Sequence, residues 1–262
     1  MSVRRLFAVS GWALLAAAAC AALVPTAVAQ TQQPTQGQLT QGQLTQAQLL
    51  EACQSETEPA AARIAACTRA VEAAEDQNMR IEALLHRGVL HELGGEWDAA
   101  VRDYSEVIKL DGSNALAFFN RANAYDQLGQ GDLAIADYTQ AIKLDATDPD
   151  FYNNRGQTYD SRGEHNLAIA DYSEAIRLGG SDARAYYNRG LSYANKSEFA
   201  RAVSDFDEAI KLAPDDVDLY VARGAANEEM GNTAAAREDY RKVLQLDAGN
   251  EDAQEALNRL GN

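Results

Sequence analysis

Apolar residues return along this chain at helical spacing, and the spacing is itself periodic. Ala134, Ile135, Tyr138, Ala141, Ile142 and Leu144 draw one face of an amphipathic helix. Equivalent faces recur every 34 residues, five times without insertion or gap between Ile81 and Asn250. The frames open at Ile81, Ala115, Pro149, Ala183 and Val217. Within a frame, two helical faces are separated by a turn signal such as Leu128-Gly129-Gln130-Gly131-Asp132 or Arg162-Gly163-Glu164. A glycine there can take the left-handed conformation that ends a helix. Asp111-Gly112-Ser113, Asp145-Ala146-Thr147, Gly179-Gly180-Ser181, Ala213-Pro214-Asp215 and Asp247-Ala248-Gly249 separate the frames. No segment alternates apolar and polar residues with the period of a strand. A fixed period of this length predicts an all-α solenoid of helix pairs, each burying its apolar face only against its neighbours.

Aligned, the frames give columns. Position 8 is small (Gly88, Ala122, Gly156, Gly190, Gly224) and position 20 is alanine (Ala100, Ala134, Ala168, Ala202, Ala236). Position 24 is aromatic (Tyr104, Tyr138, Tyr172, Phe206, Tyr240), position 27 is small, and position 30 is leucine. Small residues at 8 and 20 let two antiparallel helices approach, and the ring at 24 fills the space beside them. These columns, with tyrosine at position 11 in the three middle frames, resemble the tetratricopeptide repeat. Phe119-Asn120-Arg121-Ala122-Asn123-Ala124-Tyr125, Asn153-Asn154-Arg155-Gly156 and Tyr187-Asn188-Arg189-Gly190 resemble that family's first helix. Two features depart from the pattern. Position 32 is proline only at Pro214, and position 11 is His91 in the first frame and Asn227 in the last. The resemblance implies a right-handed superhelix of five units (81–114, 115–148, 149–182, 183–216 and 217–250), whose first helices line a concave face.

The flanks read differently. Arg4-Arg5, an apolar stretch from Leu6 to Val24, Pro25 and Ala27-Val28-Ala29 predict a secretory signal peptide over 1–29. The competing readings are a retained anchor and a lipoprotein acylated at Cys20; Ala17-Ala18-Ala19 lacks the larger residue such lipoprotein sites carry. Residues 30–48 hold three Gln/Thr-rich pentads with one leucine each, too little apolar surface to repay ordering, and predict a flexible tether. Segment 49–80 reads as a degenerate helical hairpin; extending the frame back to Ala47 places Cys53 at position 7 and Cys67 at position 21. Cleavage after Ala29 would remove Cys20 and leave two cysteines, and an even count in an exported chain predicts a structural disulfide between them rather than a redox pair, which would want C-x-x-C spacing. Residues 251–262 carry Ala253, Ala256, Leu257 and Leu260 on one stripe and predict a capping helix.

The net charge is −16, and loss of the leader removes two arginines and no acid. That sign disfavours a nucleic-acid partner and docking on anionic lipid. His86, His91 and His165 have no second ligand at metal spacing, and no nucleophile, phosphate-loop or paired-carboxylate motif is present. The expectation is a non-enzyme without cofactor or metal. Position 7 is arginine (Arg87, Arg121, Arg155, Arg189, Arg223) and position 23 is aspartate (Asp103, Asp137, Asp171, Asp205, Asp239) in every frame. The two columns predict a ladder of ion pairs fixing the repeat angle, ahead of a ladder of charges for a ligand.

The resemblance implies that positions 2, 5, 6, 9, 12 and 13 face the groove. They hold eight acids, among them Asp126 and Asp160, and one strong base, Arg184. A clamp for acidic tails needs the opposite charge. Asn120, Asn123, Asn154, Gln157 and Asn188 offer donors and acceptors to a peptide backbone, and Phe119 and Tyr187 offer apolar anchors. The expected function is a non-catalytic periplasmic or secreted scaffold whose groove binds an extended neutral or basic polypeptide. The alternative is an assembly protein that self-associates through its end repeats.

Overall fold

The computed structural model describes residues 44–179 and 182–261, all in helices and the turns between them. The order is α1 (Gln46–Gln54), α2 (Ala60–Ala73), α3 (Gln77–Leu93), α4 (Trp97–Leu110), α5 (Ala115–Gln127), α6 (Gly131–Leu144) and α7 (Pro149–Ser161). There follow α8 (His165–Gly179), α9 (Ala183–Asn195), α10 (Phe199–Leu212), α11 (Val217–Glu229), α12 (Thr233–Leu246) and α13 (Glu251–Leu260). Each helix packs on the one before and the one after it. First helices also touch their counterparts one repeat along (α3 with α5, α5 with α7, α7 with α9, α9 with α11), so the solenoid curves toward them. The segment expected as a leader, with Cys20, and the expected tether as far as residue 43 lie outside the described residues. So do Gly180 and Ser181 of the third turn between repeats.

The core is built by the columns. Ala100, Ala134, Ala168, Ala202 and Ala236 are wholly buried, and the rings of Tyr104, Tyr138, Tyr172, Phe206 and Tyr240 are buried beside them. The ring of each repeat presses on position 8. A Cβ placed on Gly88 would stand 2.5 Å from a ring carbon of Tyr104, and one on Gly190 would stand 2.6 Å from Phe206. Within a repeat the chain turns at position 15. Gly95, Gly129, Gly163 and Gly231 have φ between +71° and +76°, and the fourth repeat puts Ser197 there at φ +61°. Between repeats the last residue of one frame caps the next first helix. Asn114, Asp148, Asp182, Asp216 and Asn250 each accept a hydrogen bond from a backbone N–H of the first turn, satisfying a donor the helix cannot.

The amino-terminal hairpin corrects the frame read from sequence. α1 starts at Gln46, capped by Thr45, so residues 46–48 are helical rather than the end of a tether. Arg87 donates to Thr68, 19 residues before it, whereas Arg121, Arg155, Arg189 and Arg223 each reach 16 residues back. The hairpin is therefore offset by three residues. Cys67 stands in the aromatic column rather than at position 21, and Ala70 stands in the small column. The extra residues lie in α3 itself, which begins four residues ahead of Ile81 on an Asp76 cap. Cys53 and Cys67, both fully buried, form a disulfide that joins α1 to α2.

At the other end, α13 buries Ala253, Ala256 and Leu257 against Tyr220, Ala236, Tyr240 and Val243. Its remaining face is polar, and Arg259 pairs with Glu228 at 2.8 Å.

Candidate functional site

The arginine at position 7 is a three-way joint. In repeat 3, Arg155 donates through Nε and Nη2 to both carboxylate oxygens of Asp171, each at 2.8 Å, and through Nη1 to Thr139 of repeat 2 at 2.9 Å. Arg121 does the same with Asp137 and Ser105, Arg189 with Asp205 and Ser173, and Arg87 with Asp103 and Thr68. Arg223 joins Asp239 and replaces the hydroxyl by Asp207. All five aspartates at position 23 are buried, and two parallel N–H···O bonds fix the guanidinium plane. Aromatic rings hold that plane from the sides: Phe118 and Tyr125 around Arg121, Tyr152 and Tyr159 around Arg155. The partner at position 25 varies among serine, threonine and aspartate, which hid this column in the sequence.

The groove acids at position 12 are mostly engaged inside the protein. Asp126 accepts from the Thr158 hydroxyl of the next repeat at 2.8 Å, and Asp160 accepts from Ser192 of the next repeat. Asp160 also receives the Tyr172 hydroxyl at 3.2 Å and lies 2.8 Å from Nδ1 of His165. Glu228 receives the Tyr240 hydroxyl at 2.6 Å. Burial raises the Asp126 carboxyl above the usual range, against the pull of the Thr158 hydroxyl. In repeat 1 the next hydroxyl is missing, because Ala124 occupies the place of Thr158 and Ser192. There Glu92 Oε1 and the Tyr104 hydroxyl are buried without a hydrogen-bond partner of normal geometry, and burial pushes the Glu92 carboxyl up to about 7.

The amides also bond to one another. Asn154 donates to Asn123 at 3.0 Å, Asn188 donates to Asn153 at 3.2 Å, and the Tyr138 hydroxyl donates to Asn123 at 2.6 Å. The two amide–amide bonds cross from repeat to repeat, and each primary amide keeps further donors and acceptors. Asn120 is buried and Gln157 is exposed. Of the two aromatic anchors expected, Tyr187 belongs to the core: it is 5% exposed and packs on Phe206, 6.0 Å between ring centres. Phe119 is half-buried, 4.8 Å from the Phe151 ring. The groove positions instead expose Val89, Leu93 and Leu116. Leu93 and Leu116 stand at positions 13 and 2, and the sequence reading did not single them out. The one groove base, Arg184, is held by Asp150 at 3.0 Å and by Asp182.

Among the described residues no cluster of three or more His, Cys, Asp or Glu could hold a metal, and no helix is long and apolar enough to cross a membrane. His86 is partly buried against Gln54, and burial lowers its pKa.

Family models of the tetratricopeptide repeat match residues 90–129, 123–161 and 158–197 (TPR repeat), and 183–216 and 217–250 (tetratricopeptide repeat). No curated protein sequence matches the chain. Among solved structures, a crystal structure of MamA shares 26% identity over 64% of this chain and 92% of that one, with a TM-score of 0.60. YrrB, described as a TPR protein with an unusual peptide-binding site, covers 72% of this chain and 96% of its own at 21% identity and a TM-score of 0.61. The carboxy-terminal part of a TPR repeat-containing protein from Cytophaga hutchinsonii covers 82% of this chain and 83% of its own, at 22% identity and a TM-score of 0.66. Repeat period, buried columns, family models and backbone course agree, and the chain belongs to the tetratricopeptide repeat family.

Proposed function

We propose that this interaction scaffold is non-catalytic, works in the cell envelope, and holds an extended neutral or basic polypeptide in the groove of its first helices. The observation that carries the reading is the charge of that groove. Its one base is tied to Asp150 and Asp182, while Glu82, Asp218 and Glu229 are exposed acids. Such a surface repels acidic tails and favours basic ones. The envelope is supported by the leader-like segment 1–29 and by the disulfide, a bond of oxidising compartments. The polar outer face of α13 argues against stacking of copies through the carboxy-terminal end.

Affinity capture from an envelope extract tests the reading. The baits are the mature chain and its Asn120/Asn154/Asn188→Ala variant, each at low and high salt. A partner kept by the parent, lost by the variant and weakened by salt supports the groove. Equal capture by both moves the interface to the outer face or the ends.

A further inference from the structure

The groove is not uniform along its length. Four positions recur on each first helix at i, i+3, i+7 and i+11: repeat positions 2, 5, 9 and 13. On α7 they read Asp150, Asn153, Gln157 and Ser161, all polar. On α3 the last three read Leu85, Val89 and Leu93, and on the adjoining α5 the first two read Leu116 and Phe119. Leu85 and Phe119 are half-buried against the core, and the other three stand out from it. Leu93 is 65% exposed, Leu116 41% and Val89 39%. Helical spacing puts Leu85, Val89 and Leu93 in one file, and α5 packs directly on α3. The groove thus opens on an apolar band across repeats 1 and 2. The acids of repeats 2 and 3 are engaged by Thr158, Ser192, His165 and Arg184. At repeat 5 the pattern changes again: Asp218 and Glu229 are exposed, and no cation among the described residues pairs with them.

We propose that the groove reads a two-part segment: aliphatic or aromatic side chains on the band of α3 and α5, and lysine or arginine on Asp218 and Glu229 of α11. The inference rests on the groove reading above and adds where each end of the partner lies. Helices pack about 10 Å apart, so α3 and α11 are separated by about 40 Å along the array. An extended chain covers about 3.3–3.6 Å per residue, so the apolar and basic parts of the partner are separated by roughly a dozen residues. The apolar end supplies affinity that resists salt, and the basic end supplies attraction that salt screens.

The probes are fluorescent 18-residue peptides with a Leu-Phe-Leu cluster at one end, a Lys-Arg-Lys cluster at the other and a Ser/Thr/Gln spacer between, made in both chain directions. Control peptides lack one cluster or the other. Fluorescence anisotropy gives Kd for the mature chain, for Val89→Asp/Leu93→Asp, for Asp218→Asn/Glu229→Gln and for the Asn120/Asn154/Asn188→Ala variant, at low and high salt. Circular dichroism confirms that each variant is folded. The expected result is a two-cluster peptide bound at least fivefold tighter than either control. The α3 variant should weaken it fivefold or more at both salts. The α11 variant should weaken it at low salt only. If the parent binds the peptide, the amide variant loses it and the α3 and α11 variants do not, the two-part assignment is wrong and the groove survives. If the parent binds none of the peptides, both fall.

Discussion

Ala194 and Phe206 share one buried cluster and stand in for a polar pair. In the other four repeats position 24 is tyrosine and position 12 is an acid; in the fourth both are apolar. Tyr172 with Asp160 and Tyr240 with Glu228 show the bond that the fourth repeat lacks. The two positions answer one need, an acceptor for a buried hydroxyl.

Phe206→Tyr alone should therefore destabilise the protein by about 1–3 kcal/mol, the cost of a buried hydroxyl without an acceptor. Ala194→Asp alone should also destabilise, since it buries a carboxylate without its donor. The double variant should recover at least about 1 kcal/mol of the summed loss. Urea unfolding of all four proteins measures the coupling, and strict additivity would refute the pairing.

The guanidinium joint makes a second prediction. Arg155→Ala strands the buried Asp171 and frees Thr139, at a cost of about 3 kcal/mol or more. Arg155→Lys should recover only a minor part, because an ammonium cannot match both carboxylate oxygens. Since the pair is largely shielded, the loss should change little between low and high salt. A loss that vanishes in high salt would mean the pair acts as a surface charge.

The fourth repeat carries the one described non-glycine residue with positive φ, Ser197. Ser197→Gly should raise stability by about 0.5–1 kcal/mol, relief of the left-handed strain less the added freedom of the unfolded chain. The converse change, Gly163→Ala at the same column, should lower it by a similar amount. Thermal unfolding distinguishes the two signs.

Glu92 sets a pH dependence. Its folded pKa of about 7 lies above the 4.5 of an ordinary glutamate, so the folded state binds the proton more tightly than the unfolded one. Below about pH 4.5 the group costs nothing. As pH rises from there to 7 the cost grows to at most about 3 kcal/mol, and it stays constant above. Glu92→Gln should remove this slope and stabilise the protein at pH 8. Ala124→Ser, which supplies the hydroxyl found in the next two repeats, should lower the Glu92 pKa. Thermal unfolding across pH 4–8 tests the first, and carboxyl titration by NMR tests the second.

The fold was legible in the sequence because its determinants lie in columns with one chemistry. Gly156 against Tyr172, or Arg155 against Asp171, repeats without variation in kind. The joint to the preceding repeat was not legible, because Ser105, Thr139, Ser173 and Asp207 look like unrelated surface residues until Arg121, Arg155, Arg189 and Arg223 point at them. The site was less legible than the fold. Tyr187 and Asp160 stand at groove positions by register, yet one ring turns inward onto Phe206 and one carboxylate is held by Ser192. Spacing along a helix says which side a residue leaves from. It does not say whether a neighbour one repeat away has already taken it.

The arginine joint has a consequence for whole repeats. Each one reaches back to a hydroxyl or carboxylate that the preceding unit supplies at the same place, so neighbours are interchangeable parts. Excision of 149–182 would bring Arg189 onto Thr139 in place of Ser173, set Asp126 on Ser192, and leave Asp148 to cap the helix beginning at Ala183. Excision of 183–216 would not close as well, because Asp160 would then meet Ala226. The groove can thus be shortened by a unit at one seam more readily than at another, and the register of hydrogen bonds, not helix packing, marks where the cut belongs.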